Sequence, residues 1–295
     1  MKNKIFFCMI IVFFAFKLTS GKVEPIDNQS KDETIYLIRS KTGDIVEMGL
    51  EEYLKGVVYA EMPSSFNIEA LKAQAVAART YTKSKLADNS HICDNPSHCQ
   101  AWKENDYSES FEKVSKAVDE TCGKTINYMG ETIQAFFHSS SGGKTESSKE
   151  VWGKEIPYLI AVESPNEDKI MSTFFSEKEV TYKELKKIIN NYLGQNKVTT
   201  EKLKNKIKII SRTQGDRVNE IKIDEAVLLG TDIRSILELR SANFSLELKD
   251  KSVIFKVKGY GHGVGMSQWG AEVMAQGGKN YEEILKYYYP NTEII

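Results

Sequence analysis

Residues 5–16 form an unbroken apolar run, preceded by Lys2 and Lys4 and followed by Lys17-Leu-Thr-Ser-Gly21. A basic start and an apolar stretch of this length make an export signal. Twelve helical residues rise about 18 Å, short of a bilayer core of roughly 30 Å; if Lys17 snorkels, Leu18 is drawn in and the reach grows slightly. The pattern fits a cleaved signal peptide or a thin membrane anchor over residues 1–21. Residues 22–33 are polar and read as a linker, so the remainder is expected outside the cytoplasm. Residues 34–38 and 45–46 then predict a short hairpin around Lys41-Thr-Gly-Asp44. From Leu50 to Glu61 the period is helical, with Tyr53, Leu54, Val57 and Val58 on one face, and Pro63 stops the helix near Met62. A second helix, 68–85, carries Ala70, Ala73, Ala75, Ala77 and Ala78; small residues on so many faces predict that other elements pack all round it. Phe111, Val114, Ala117 and Val118 mark a third helix closed at Cys122-Gly123, and strands at 125–128 and 132–137 flank a turn at Met129-Gly130.

From 166 to 256 the texture changes, and neither His nor Cys occurs. Thr181-Tyr-Lys-Glu184 is a capping box opening a helix to about Tyr192, and strand-like runs follow at 207–210, 218–223, 244–248 and 253–257. A Gly-rich stretch, 259–270, leads to two short helices through Met274 and Tyr287. Helices and strands mix without regular βαβ alternation, which predicts an α+β, two-lobed fold. A helix-rich lobe would comprise 34–165 and 257–295 and carry Glu61. A smaller mixed lobe would comprise 166–256, with a substrate groove between or beside the two.

Composition narrows the partners. Lys+Arg 40 against Asp+Glu 41 gives a net charge of −1, with no basic excess to bind nucleic acid. Four Cys are too few for a disulfide scaffold.

Glu61 is the leading candidate for chemistry. It shares a helical face with Tyr53 and Val57 and ends the helix, where poor solvation and the macrodipole both disfavour ionisation, as a general acid requires. Lys72 and Arg79 share a face of the second helix near Gln74, and each needs a carboxylate or a ligand as partner. His91, Cys93, His98 and Cys99 lie within nine residues around Asp-Asn-Pro-Ser, suiting zinc; a Cys93–Cys99 disulfide is the competing reading, and Cys122 reads as a buried thiol. A polar loop from His138 through Ser141 to Thr145 offers hydroxyls and open N–H groups to a sugar. Glycines 259, 261, 263 and 265 permit close backbone approach around His262, with Gln268 and a stacking surface at Trp269 nearby.

Four stretches, Leu54–Pro63, Ala70–Tyr81, the His-Ser-Ser-Ser-Gly-Gly loop from 138, and Gly261-His-Gly-Val-Gly-Met-Ser-Gln-Trp-Gly270-Ala, resemble the stage II sporulation protein D (SpoIID) family in the expected order. The resemblance implies a membrane-anchored lytic transglycosylase at the sporulation septum and engulfing membrane. It would act on peptidoglycan strands stripped of stem peptides, with an amidase-endopeptidase and a membrane scaffold as partners. It implies that Glu61 is the catalytic acid, supported by Lys72 and Arg79. Carried onto the motifs, candidate glycan contacts are Lys72, Gln74, Arg79 and Tyr81; His138, Ser139, Ser141, Gly142, Gly143 and Thr145; and His262, Gly263, Gly265, Ser267 and Gln268. The zinc cluster belongs to some members only, and relatives called amidase enhancers are credited with stimulating a hydrolase instead of cleaving. One carboxylate is enough for the implied reaction, because the N-acetylmuramic acid 6-hydroxyl attacks its own anomeric carbon, whereas ordinary glycosidases need two. The motifs hold no convincing second carboxylate.

Overall fold

The structure, a computed structural model, describes residues 33–88 and 91–295. The expected signal or anchor, and the linker up to residue 32, lie outside the described residues. Among those described, no helix is long and apolar enough to cross a membrane.

Ile35 and Leu37 alternate inward along β1 (Thr34–Ile38), which turns back antiparallel into β2 (Ile45–Gly49) with Ile38 opposite Ile45. Next, α1 (Leu50–Glu61) buries Tyr53, Leu54, Val57 and Val58, each contributing roughly 1.5–3 kcal/mol. It ends where Pro63 holds Met62 extended, at φ −122° and ψ 144°. In α2 (Ile68–Ala87) the Asn67 side chain accepts from Glu69 N, and its five alanines at 70–78 are all buried. β3 (Ile92–Cys93) joins β1 in parallel, and α3 (Glu109–Asp119) packs on both preceding helices. β4 (Ile126–Tyr128) and β5 (Glu131–Thr132) form the expected hairpin, but the second strand stops at Thr132 instead of 137. Phe137 and His138 form a separate strand, β6 (Phe137–His138), whose partner lies near the end of the chain. Two short helices follow, α4 (Ser148–Trp152) and α5 (Glu167–Ile170).

β7 (Phe175–Thr181) leads into α6 (Tyr182–Leu193), where the Thr181 side chain accepts from Glu184 N, the one half of the expected capping box that forms. Then come β8 (Ile207–Arg212), β9 (Val218–Ile223), β10 (Ala226–Leu229), α7 (Gly230–Ile236), β11 (Phe244–Leu248) and β12 (Ser252–Lys258). They build two three-stranded antiparallel sheets, ordered β10-β9-β8 and β11-β12-β7. β13 (Met266–Ser267) pairs in parallel with β6; α8 (Gln268–Gln276) and α9 (Tyr281–Tyr288) pack on α2, and β14 (Glu293–Ile294) closes on β4.

The fold is α+β. Two hydrophobic cores occupy the compact unit Glu33–Ile295: one runs from Ile35 to Leu159 and resumes from Val264 to Tyr289, and the other lies between Val180 and Val257.

Candidate active site

Glu61 is the last residue of α1, and Gly56 one turn earlier shapes its surroundings. A Cβ at Gly56 would fall 2.3 Å from Trp102 Nε1, so glycine lets the 101–103 segment lie directly on the helix. Lys103 N donates to Gly56 O at 3.1 Å, and Ala101 N donates to Glu61 Oε1 at 2.7 Å. Burial pushes the Glu61 carboxyl above the ordinary glutamate range, while the Ala101 N–H and the Gln268 side-chain amide pull it back. The Gln268 amide also donates to Gln74 Oε1 at 3.4 Å.

Glu61 opens onto a cavity of about 340 Å³. Its walls come from α2 and the 96–100 segment (Tyr81, Pro96, Ser97, Cys99, Gln100), from residues 136–139, and from Arg234 with Tyr260, Gly261 and His262. The loops at 138 and 261 thus meet beside Glu61 although they are more than a hundred residues apart. Two histidines bind them together. His138 Nδ1 donates to Val264 O at 3.1 Å, since a carbonyl can only accept. His262 Nδ1 accepts from Val264 N at 3.0 Å, leaving its other nitrogen to donate to the Phe137 backbone. Burial holds both imidazoles neutral: His138 falls well below the ordinary histidine range and His262 to about 4.

Several expected contacts are committed elsewhere. Arg79 is fully buried, with Nε and Nη2 gripping Glu51 at 2.7 and 2.5 Å and further bonds to the Val118 and Lys124 carbonyls. Lys72 is paired with Glu69 at 2.9 Å and Glu120 at 2.8 Å. Neither lines the cavity, because their shared helix face is turned to protein carboxylates. Ser141 and Ser267 are also fully buried: both hydroxyls donate to Glu167, which accepts from Ser140 and Ser164 as well, at 2.6–2.9 Å throughout. This serine-carboxylate knot ties the 138–145 loop to α5 and β13. Thr145 Oγ1 is buried against Val162 N, and Gly143 N donates to Ser141 Oγ. Gly142, Gly263 and Gly265 lie directly against protein, whereas Gly143 faces open space. A Cβ on Gly263 would fall 2.1 Å from Arg217 Nη2, one on Gly265 1.9 Å from Phe136 O, and one on Gly142 3.1 Å from Lys258 O. Trp269 packs edge-on against Phe66 in the core and offers no stacking face to this cavity.

The cysteine cluster forms one edge of the cavity through Pro96, Ser97 and Cys99. Asn95 O receives His98 N and Cys99 N, and this turn folds both side chains back onto Cys93. His98 Nδ1 lies 3.3 Å from Cys93 Sγ and 3.2 Å from Cys99 Sγ, and the three donors fall within 4.8 Å of one another. Cys93 and Cys99 are free thiols. His91 does not join them: it precedes the strand, outside the turn, and only its carbonyl approaches Cys99 Sγ, at 3.5 Å. Cys122, expected to be buried, is exposed because α3 has already ended at Asp119. Of the remaining wall residues, Gln100, Phe136, Arg234 and Tyr260 had no signal in the sequence, since each reaches the cavity only through tertiary packing.

The family model described as stage II sporulation protein matches residues 39–128, and one described as a domain of unknown function (DUF8618) matches residues 146–265. Stage II sporulation protein D of Bacillus subtilis (strain 168) is 35% identical, the match covering 88% of this chain and 78% of that protein. The protein of the same name from Bacillus amyloliquefaciens gives the same identity and coverage. The amidase enhancer of Bacillus subtilis is 32% identical across 82% of this chain and 40% of its own length. With an acid-bearing α1, an alanine-rich α2 and a glycine-rich loop assembled as above, and relatives matched across most of both chains, this chain belongs to the stage II sporulation protein D (SpoIID) family.

Proposed function

We propose that the chain is a peptidoglycan lytic transglycosylase that cleaves between N-acetylmuramic acid and N-acetylglucosamine, with Glu61 as acid and then base. The observation that carries this reading is the makeup of the cavity: among the described residues lining it, Glu61 is the one carboxylate, and burial favours its protonated form. A glycosidase that activates water needs a second carboxylate across the scissile bond. A transglycosylase does not, because the substrate's 6-hydroxyl is the nucleophile. Glu61 gives its proton to the leaving oxygen as the glycosidic bond breaks. The resulting carboxylate then takes the proton of the 6-hydroxyl as that oxygen bonds to the anomeric carbon, closing a 1,6-anhydro ring. The Ala101 N–H and the Gln268 amide hold the carboxylate formed between the two transfers.

Cys93, His98 and Cys99 fit zinc, which takes soft sulfur and imidazole donors. They would hold the ion through both Sγ atoms and Nδ1, and bound zinc would add a structural cross-link at the cavity edge and a Lewis-acidic open position. The same reading places the domain outside the cell membrane, held by its N-terminal segment, acting on the septal wall beside an amidase partner. The amidase enhancer relative favours a second reading, a wall-binding stimulator of a hydrolase that cleaves nothing itself. Incubating purified chain and its Glu61→Gln variant with denuded glycan strands separates them. Soluble fragments from wild type and none from the variant support the first reading; no fragments from either support the second.

A further inference from the structure

Arg234 is a cation without a counter-charge on the wall of the Glu61 cavity. It also lines a smaller adjoining cavity of about 100 Å³, with Arg217 and His262. Its place is set by Gly230 at the start of α7, where a Cβ would fall 1.9 Å from Val218 O. Only glycine lets α7 seat this closely on β9, and the seat carries Arg234 to the cavity one turn later. Other arginines are occupied: Arg79 by Glu51, Arg39 by Asp94, Arg212 by backbone carbonyls. Arg234, half-buried, forms no ion pair and no side-chain hydrogen bond with any described residue. Glu146 and Glu150 share the smaller cavity, but Glu146 is engaged by Thr213 and the Ser147 N–H, and neither pairs with Arg234. Beside it, Arg217 is 3% exposed and its Nε has no partner. A partly desolvated guanidinium with no protein acceptor is costly to the fold alone and suits an anionic ligand group.

A glycan strand carries few anions. Its hydroxyl and acetamido groups are neutral, and its ionisable group is the 3-O-lactyl carboxylate of N-acetylmuramic acid. That carboxylate is masked as an amide while a stem peptide is attached, and free once the peptide is removed. We propose that Arg234 is the specificity-determining residue of this cavity, receiving the free lactyl carboxylate of a peptide-stripped N-acetylmuramic acid residue. This inference rests on the peptidoglycan reading and adds to it the side chain that distinguishes stripped from peptide-bearing strands.

The test measures binding apart from cleavage. The full chain carrying Glu61→Gln is titrated by calorimetry with a muramic-acid-containing tetrasaccharide and with its lactyl N-methylamide. The acid binds about tenfold more tightly, Glu61→Gln/Arg234→Gln abolishes the difference, and Glu61→Gln/Arg234→Lys, which keeps the charge, retains part of it. Equal affinity for acid and amide in the Glu61→Gln chain, or a preference that survives Arg234→Gln, overturns the proposal. A parallel cleavage assay separates its failure from that of the wider reading. Wild type that forms anhydro ends equally from acid and methylamidated strands removes the role of Arg234 and leaves the transglycosylase standing. A chain that forms none, yet prefers the acid through Arg234, does the reverse.

Discussion

At Glu61 burial and hydrogen bonding oppose each other, and burial prevails. The folded pKa therefore lies above the unfolded one. Between the two the native chain holds more protons than the unfolded chain, so stability falls as pH rises through that window. At pH 7 Glu61 weakens the fold, and Glu61→Gln should unfold at a higher temperature than wild type. The gap should narrow near pH 3, about where the carboxyl is protonated in both states. Calorimetric scans at both pH values check this, and equal midpoints at pH 7 would contradict it. Cleavage should decline as pH rises through the same raised pKa, because the ionised acid cannot protonate the leaving oxygen. Arg79 makes the opposite kind of prediction. Truncation to Ala removes both bonds to Glu51 and those to the Val118 and Lys124 carbonyls from a fully buried site, and should cost about 3–5 kcal/mol in urea unfolding. A loss under about 1 kcal/mol would remove its structural assignment.

Helices were legible in the sequence where a period of 3.6 met a clear stop. Leu50–Glu61 matches the expectation at both ends, since Pro63 can only end it there. Strands were less so. Residues 133–136 look like a strand continuing to Phe137, but Ile133 and Ala135 are buried by packing, and pairing resumes only at β6 with a partner far along the chain. β7, with the sequence FSEKEVT, shows no apolar alternation because it is an edge strand with one buried residue, Val180. The glycines were legible as close-approach positions, but what approaches them was not. Gly265 has φ +73° and faces Phe136 O at the start of β13, so Gly265→Ala should split the β6–β13 pairing and lower the unfolding temperature, not merely obstruct a ligand. The 95–99 turn makes a sharper test of the cluster. Elemental analysis should find about one zinc per chain in wild type and in His91→Ala, and little in His98→Ala or Cys99→Ser. Zinc lost with His91→Ala would contradict the three-donor site.

Across the whole molecule, Glu61 could be picked out as a candidate acid from one helix, whereas the cavity it lines could not. Its walls come from α2, the cysteine turn, β6, α7 and the 260–262 loop, and only the two cores packed together bring them to one place. Ser141 looked like a sugar ligand because its acceptor, Glu167, sits 26 residues away in a charged run that reads as solvent-facing. Arg234 was hidden in a seven-residue helix within the region that carries neither His nor Cys. The central claim is that one carboxylate works here with the substrate's own hydroxyl. It is tested most directly by cleaving denuded strands in water enriched in heavy oxygen and reading the new ends by mass spectrometry. The account predicts 1,6-anhydro ends that carry no label. Labelled reducing ends would contradict it, because they would show that water, and not the 6-hydroxyl, had attacked.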